Sequence, residues 1–98
     1  MSLYDLVKEK SKEINNIATQ HGAANVRIFG SVVRGEETEN SDIDFLIETP
    51  DINKLSFFFP GGLIADLESL LGRKIDIVIE SALKPQIRKN VLQESKAI

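Results

Sequence analysis

Hydrophobic side chains recur at helical spacing over the first twenty residues of the chain. They occupy positions 3, 6, 7, 14, 17 and 18, which fall on one face of a helix. Ser2 is a residue type that caps helix starts, and Gly22 is a type that ends helices, because glycine readily adopts the left-handed conformation found after a helix. The pattern predicts a first helix over residues 3 to 21.

Two short apolar segments follow, and each is bounded by residues that favour turns. The first, Ala24 to Phe29, is rich in branched and aromatic side chains and predicts a strand that runs directly into Gly30. Ser31 to Arg34 is predicted to form one helical turn, and the polar residues 36 to 40 are predicted to form a loop. Hydrophobic and polar residues then alternate from Asp42 to Glu48, which predicts a second strand.

The second half of the chain predicts two helices with a strand between them. The segment Ile52 to Phe59 has no assigned element, because Pro60 to Gly62 cannot continue a regular helix. Leucine and isoleucine recur at helical spacing from Leu63 to Leu71, and a third strand is predicted over Lys74 to Glu80. Pro85 to Ala97 is predicted as the last helix, with proline at its start.

Composition narrows the class of protein. Ninety-eight residues predict one domain, and 42% hydrophobic with 28% charged residues is ordinary for a globular protein. No apolar run is long enough to span a bilayer, and the net charge of -3 argues against a nucleic-acid partner. The sequence has no cysteine and no secretory signal at its start, so we expect a cytoplasmic protein.

The basic pairs and the single histidine receive structural interpretations. Arg73-Lys74 and Arg88-Lys89 have no interleaved aromatic residues to stack on bases, so they are interpreted as solvated surface charge. His21 lies where the first helix should end, a position that favours a partly cationic ring, and is not expected to be catalytic.

Three aspartates are candidate metal ligands. Side chains alternate along a strand, so Asp42 and Asp44 should project from one face while the isoleucine and phenylalanine residues between and after them face the core. The same alternation turns Asp76 outward, and Asp76 approaches the other two if the second and third strands are neighbours. Three close carboxylates repel one another unless a divalent cation neutralises them, and Mg²⁺ commonly combines one or two carboxylates with phosphate oxygens.

The turn after the first strand offers donors for phosphate. Gly30 lets the backbone approach an anion closely, Ser31 adds a hydroxyl and free amides of the next turn, and Arg34 adds a fixed positive charge one turn later. Other phosphate-binding motifs are absent, including Gly-x-x-x-x-Gly-Lys and Gly-x-Gly-x-x-Gly. Phosphate donors and acidic residues together predict a site for a metal-bound nucleoside triphosphate.

These residues also carry a family resemblance. Gly30-Ser31-x-x-Arg34-Gly35, five residues, Ser41-Asp42-x-Asp44 and a later Asp76 resemble the minimal nucleotidyltransferases, the small MNT branch of the polymerase-beta-like superfamily. The resemblance covers roughly residues 20 to 80 and implies an α/β (α+β) fold, a small mixed β-sheet flanked by helices.

The resemblance also implies a role for each motif residue in metal binding, nucleotide binding or catalysis. Asp42 and Asp44 would bind Mg²⁺, with two ions expected, and Asp76 would complete the metal site or activate the acceptor hydroxyl. Gly30 and Ser31 would hold the triphosphate of the substrate, most simply ATP, with Arg34 in reach of the same charge. A hydroxyl would then attack the α-phosphate, so that NMP is transferred and pyrophosphate is released.

The acceptor and the biological role follow from the family and not from the spacing. Small members commonly act as antitoxins paired with HEPN-domain toxins, and some transfer AMP to a toxin tyrosine, so a toxin is the expected partner. The alternative is a module that neutralises its partner by binding without catalysis, for which Phe57-Phe58-Phe59 is a candidate surface, although a core position for these rings is favoured. A glycosyltransferase is disfavoured because it needs a longer chain, and self-association is left open.

Overall fold

The computed structural model describes all 98 residues. Its helices and strands, in chain order, are α1 Leu3–Glu9, α2 Ser11–Gln20, β1 Ala24–Phe29, α3 Ser31–Arg34, β2 Ile43–Glu48, α4 Gly61–Leu71, β3 Ile75–Ile79, α5 Pro85–Glu94 and β4 Lys96–Ala97, with 3-10 turns at Ile52–Lys54 and Glu80–Ala82. The structure confirms the mixed α/β architecture. No helix combines the length and apolar character that crossing a membrane requires.

The four strands form one mixed sheet in the order β3-β2-β1-β4. β1 is antiparallel to both β2 and β4, whereas β2 and β3 are parallel, with α4 in the connection between them. The register places Asp44 of β2 beside Phe29 of β1 on one side and beside Asp76 of β3 on the other. The second and third strands are therefore neighbours, as the proposed meeting of the acidic residues requires.

The hydrophobic core lies on one face of this sheet. Helices α1 to α4 contribute Val7, Ile14, Ala18, Val32, Leu63, Leu67 and Leu71, and the strands contribute Val26, Ile28, Ile43, Phe45, Ile47 and Ile75. Since side chains alternate along a strand, Asp44 and Asp76 project from the opposite face. Most of the packing therefore lies on one side of the sheet, whereas the other side carries the acidic side chains next to Leu46, which is also buried.

Several predicted boundaries are wrong. α4 begins at Gly61 and not at Leu63, and β3 is one residue shorter at each end than predicted. The first helix is interrupted at Lys10, within a polar stretch that has no apolar anchor between Val7 and Ile14. The second strand begins at Ile43, so Asp42 lies just before it and not within it. The last helix ends at Glu94, because the chain then pairs with β1 as the two-residue strand β4.

The preferred core position for the phenylalanine run is also wrong. Phe57 is 92% exposed and Phe58 is 79% exposed, and their rings pack edge to face with centroids 5.1 Å apart. Only Phe59 packs partly against the core. Residues 55 to 60 contain turns and no α-helix, as predicted for a segment that runs into Pro60. These turns leave the rings of Phe57 and Phe58 in solvent.

Candidate active site

Two of the three predicted acidic residues are direct neighbours across the sheet. Asp44 and Asp76 lie side by side in the parallel β2–β3 pair; Asp44 is half-buried and Asp76 is exposed. Asp42 is exposed at the entrance to β2, two residues before Asp44. The fold therefore brings the carboxylates together at the end of the sheet where the parallel strands β2 and β3 begin.

The environment of Asp44 disfavours its negative charge. Burial, followed by repulsion from Asp76 and Asp42, raises the pKa of Asp44 from 3.8 to about 6. Glu94 adds to this increase, whereas the positive charge of Arg34 opposes it. A site that holds a carboxylate under this much repulsion favours binding of a cation.

Gly30 lies directly against the Asp44 side chain. Its φ of +82° is in the left-handed region, and a Cβ atom added here would overlap Asp44 Oδ2 and lie 3.1 Å from Asp44 Cγ. Any larger residue would therefore clash with the carboxylate as well as adopt an unfavourable backbone conformation. The close approach brings the start of α3, with Ser31 as its first residue, to the acidic cluster.

Arg34 lies one turn along α3 and is held by two glutamates. Its Nε atom donates to Glu36 Oε1 at 2.6 Å, and its Nη1 atom donates to the two carboxylate oxygens of Glu94 at 2.8 and 3.0 Å. These hydrogen bonds, first with Glu36 and then with Glu94, raise the pKa of Arg34. Glu94 Oε1 also accepts a hydrogen bond from the Gly30 amide. Glu94 belongs to this site although no sequence motif indicates it.

Arg73 is a second residue that the sequence interpretation missed. Its Nη2 atom donates to the carbonyl oxygens of Thr38 and Ser41, both at 2.9 Å. Ser41 Oγ in turn accepts a hydrogen bond from the Thr38 amide at 2.8 Å. Arg73 is therefore not simply solvated surface charge; it anchors the loop that leads into Asp42.

His21 has a structural environment, in agreement with its interpretation from sequence. It follows the last residue of α2, and its Nε2 atom lies 2.7 Å from Asp66 Oδ2 of α4. A Cβ atom on Gly62 would lie 2.9 Å from the histidine ring, so the ring packs closely on the start of α4. His21 joins two helices and takes no part in the acidic site.

Comparison with known proteins places this arrangement in a family. The family model described as "Nucleotidyltransferase domain" matches residues 7–98. The chain belongs to this family. The nucleotidyltransferase is 41% identical over 91 residues to the protein adenylyltransferase MntA of Thermococcus cleftensis, an alignment that covers 85% of this chain and 90% of the relative.

Solved structures share the fold of this nucleotidyltransferase. A candidate minimal nucleotidyltransferase is similar with a TM-score of 0.83 and 37% identity, covering all of this chain and 97% of the other. A chain from the structure of a tri-AMPylated Shewanella oneidensis HEPN toxin in complex with an MNT antitoxin has a TM-score of 0.65 and 19% identity, and the match covers 95% of this chain and 69% of that chain. The second likeness concerns the fold alone.

The donor set of the nucleotidyltransferase fits a divalent cation only if the substrate contributes ligands. Carboxylate oxygens are the ligands that Mg²⁺ prefers, and the repulsion that raises the pKa of Asp44 would be relieved by a cation. No group of three or more acidic, histidine or cysteine side chains is close enough to hold a metal by itself. The geometry therefore suits an ion shared between Asp44, its acidic neighbours and phosphate oxygens.

Proposed function

We propose that this nucleotidyltransferase transfers the adenylyl group of ATP to a hydroxyl of a protein, with Mg²⁺ as cofactor. The acceptor oxygen forms a bond to the α-phosphorus while the bond from that phosphorus to the bridging oxygen breaks. Pyrophosphate leaves, and the hydroxyl proton passes to a carboxylate or to water. Asp76, the exposed acidic residue beside Asp44 in β3, can receive this proton or complete the metal site.

The observation that carries the proposal is the close approach of Gly30 to Asp44. It joins the predicted phosphate donors of Gly30, Ser31 and Arg34 to the acidic cluster of Asp44 and Asp76. Amide and guanidinium donors suit the β- and γ-phosphates, while carboxylates suit the cation that accompanies them. A single ligand that carries both phosphate and bound metal satisfies both halves of the site.

Asp42 and Asp44 would hold Mg²⁺ in this proposal, two ions in all, together with phosphate oxygens. Bound there, the ions would neutralise charge on the phosphates and on the departing pyrophosphate. Asp44 must be ionised to serve as a ligand. Because its pKa is raised to about 6, we expect metal binding to weaken as the pH falls below that value.

The acceptor that we propose is a HEPN-domain toxin, with this chain as its antitoxin. The proposal is supported by the 41% identity to a protein adenylyltransferase, whose acceptor is a protein by its name. The fold is also that of a chain solved in a complex of an AMPylated HEPN toxin with an MNT antitoxin.

Transfer can be tested with ATP radiolabelled at the α-phosphate, Mg²⁺ and a HEPN-domain protein from the same genome. We expect the label on a hydroxyl side chain of the toxin, and we expect the Asp44→Asn variant to label it at least about a hundredfold more slowly, because loss of a metal ligand removes several kcal/mol of stabilisation. Glu39→Gln is the matched control, since Glu39 is an exposed carboxylate three residues from Asp42.

The outcomes separate the parts of the proposal. Equal labelling by Asp44→Asn and the native chain would exclude the metal mechanism. Label that appears on RNA and not on protein would retain the reaction and overturn the acceptor. Labelling that requires ATP, and is not supported by GTP or CTP at equal concentration, would support adenylyl transfer specifically.

The exposed phenylalanines support a second candidate function, which is neutralisation of a partner by binding alone. Phe57 and Phe58 present two rings, packed edge to face, to solvent, and aromatic residues are enriched in protein interfaces. If binding alone suffices, Phe57→Ser with Phe58→Ser abolishes neutralisation of the toxin while Asp44→Asn retains it. The reverse result favours catalysis.

A further inference from the structure

The carboxylate of Glu94 occupies the donors that the proposed function gives to nucleotide phosphates. Glu94 is the last residue of α5, sixty positions beyond Arg34 in the sequence. Its Oε1 atom accepts from the Gly30 amide, and its two oxygens accept from Arg34 Nη1 at 3.0 and 2.8 Å. The two donors, the Gly30 amide and the Arg34 guanidinium, are called the phosphate clamp below, and Glu94 is the carboxylate bound to them.

A carboxylate and a phosphate compete for such donors. Both are anions that accept charge-assisted hydrogen bonds from backbone amides and from guanidinium groups. The Gly30 amide has a single proton, and Arg34 already directs Nε to Glu36. An arriving phosphate oxygen therefore cannot use the Gly30 amide while Glu94 remains bound to it.

We propose that Glu94 is an internal competitor of the nucleotide phosphates and sets the affinity of the site for them. The identity of the anion rests on the proposed function, whereas the contact between Glu94 and the clamp does not. Triphosphate binding requires the Glu94 side chain to leave Gly30 and Arg34, so each binding event includes the free energy of breaking that contact.

The end of α5 is suited to such a release. No residue of α5 is fully buried, and Glu94 is followed by Ser95 in an extended conformation and by the exposed strand β4. Few buried contacts oppose a movement here, because local opening costs least where little apolar surface is packed. A depression of about 280 Å³ between α5 and the end of β1, lined by Gly30, Arg34 and Glu94, gives an anion access to the contact.

The expected change in phosphate affinity follows from the fraction of molecules in which the phosphate clamp is open, that is, not bound by Glu94. The apparent dissociation constant equals the intrinsic one divided by that fraction, so removal of a competitor bound in most molecules tightens binding. For an open fraction of about one in ten, the gain is about tenfold. A shorter or neutral side chain at position 94 should give most of this gain.

The experiment measures binding of inorganic tripolyphosphate and of a non-hydrolysable ATP analogue, each with Mg²⁺, by calorimetry. We expect both Glu94→Gln and Glu94→Asp to bind these ligands about tenfold more tightly than the native chain. The aspartate variant retains the negative charge but is one methylene too short to keep the Gly30 contact. Glu36→Gln is the matched control: it removes a carboxylate from the same Arg34 without touching the Gly30 amide.

Two results would overturn the competitor role. Equal affinities of the native chain and Glu94→Gln would show that the contact has no energetic consequence for phosphate. Equal gains in Glu94→Gln and Glu36→Gln, with none in Glu94→Asp, would show that only the net charge matters.

The amide resonance of Gly30 provides a readout that needs no nucleotide. In the free protein, Glu94→Gln should move this signal upfield, because the amide loses a charged acceptor, while Glu36→Gln should leave it in place. Tripolyphosphate should also shift the signals of residues 95 to 98 in the native chain as Glu94 is released. An unchanged Gly30 signal in Glu94→Gln would show that the Gly30 amide does not donate to the Glu94 carboxylate in solution.

Failure of the inference is distinguishable from failure of the proposed function. If labelled ATP modifies the acceptor and Asp44→Asn abolishes this while Glu94→Gln leaves phosphate affinity unchanged, only the competitor role fails. If neither the native chain nor any variant binds tripolyphosphate or the ATP analogue, the proposed function fails, and the competitor role fails with it.

Discussion

The two faces of strand β2 use adjacent residues for opposite purposes. Ile43, Phe45 and Ile47 are at most 1% exposed and pack into the core. Asp44, between the first two, projects to the other face, where burial and neighbouring acidic residues raise its pKa to about 6. One face supplies most of the packing that stabilises the fold, and the other combines one buried leucine, Leu46, with a charge that the fold disfavours.

Stability and activity should therefore depend on different faces of β2. Repulsion among carboxylates remains in the folded chain only because the core face is packed well enough to offset it, a recurring trade-off between stability and activity. Substitutions on the core face should therefore reduce stability, and neutral substitutions on the acidic face should reduce activity while the fold persists.

Truncation of a buried side chain on the core face should have the strongest effect on stability. Phe45→Ala should lower the free energy of unfolding by about 3–5 kcal/mol, because Phe45 is fully buried and its loss leaves a cavity under β2. Urea denaturation followed by circular dichroism measures this change. A loss below about 1 kcal/mol would mean that the helices close over the gap and that the core face is less rigid than its packing indicates.

The second prediction concerns the acidic face, at Asp44, the residue immediately before Phe45. Asp44→Asn keeps the shape that fits against Gly30 and should reduce adenylyl transfer by at least about a hundredfold. Its urea midpoint should not fall, in contrast to Phe45→Ala. A variant that loses activity and stability together would remove the distinction between the two faces.

The sequence predicts this division of roles because both faces depend on local periodicity. Alternation along β2 is enough to assign Asp44 and Phe45 to opposite faces. Glycine at position 30 predicts a close approach of the backbone to a phosphate, whereas the neighbour in the structure is the Asp44 side chain. The matching alternation in β3 places the third acidic residue, Asp76, beside Asp44 if β2 and β3 are neighbours, and in the structure they are.

The missed features depend on contacts between residues far apart in the chain. Arg73 bonds to carbonyl groups 32 and 35 positions away, and Glu94 bonds to Gly30 at a separation of 64. Neither partner choice follows from local pattern, because it is set by how α5 and the loop before β2 lie on the sheet. The end of α5 escaped prediction for the same reason, since only pairing with β1 makes residues 96 and 97 a strand.

A smaller effect is expected at the loop that positions Asp42. Arg73→Ala removes both hydrogen bonds to this loop and should reduce transfer about tenfold, since misplacement of a metal ligand weakens the site without deleting it. The apparent affinity for Mg²⁺ should fall with it, which a merely destabilising change would not cause. Arg73→Lys should recover part of the activity, and Lys74→Ala, an exposed neighbour, serves as control.

The smallest effect isolates the charge of Asp44. Its pKa is raised in the folded chain relative to 3.8, so the folded state binds this proton more tightly, and protonation should stabilise the fold as the pH falls from about 6 toward 4. Solvent screens the charge of this half-buried group and reduces the effect. At pH 7.5 the free energy of unfolding of Asp44→Asn should be about 1 kcal/mol higher than that of the native chain. The difference should vanish near pH 4. The contributions of all other titrating groups are the same in both proteins and cancel when the two free energies of unfolding are subtracted. If the remaining difference does not change with pH, it comes from packing against Gly30 and not from repulsion.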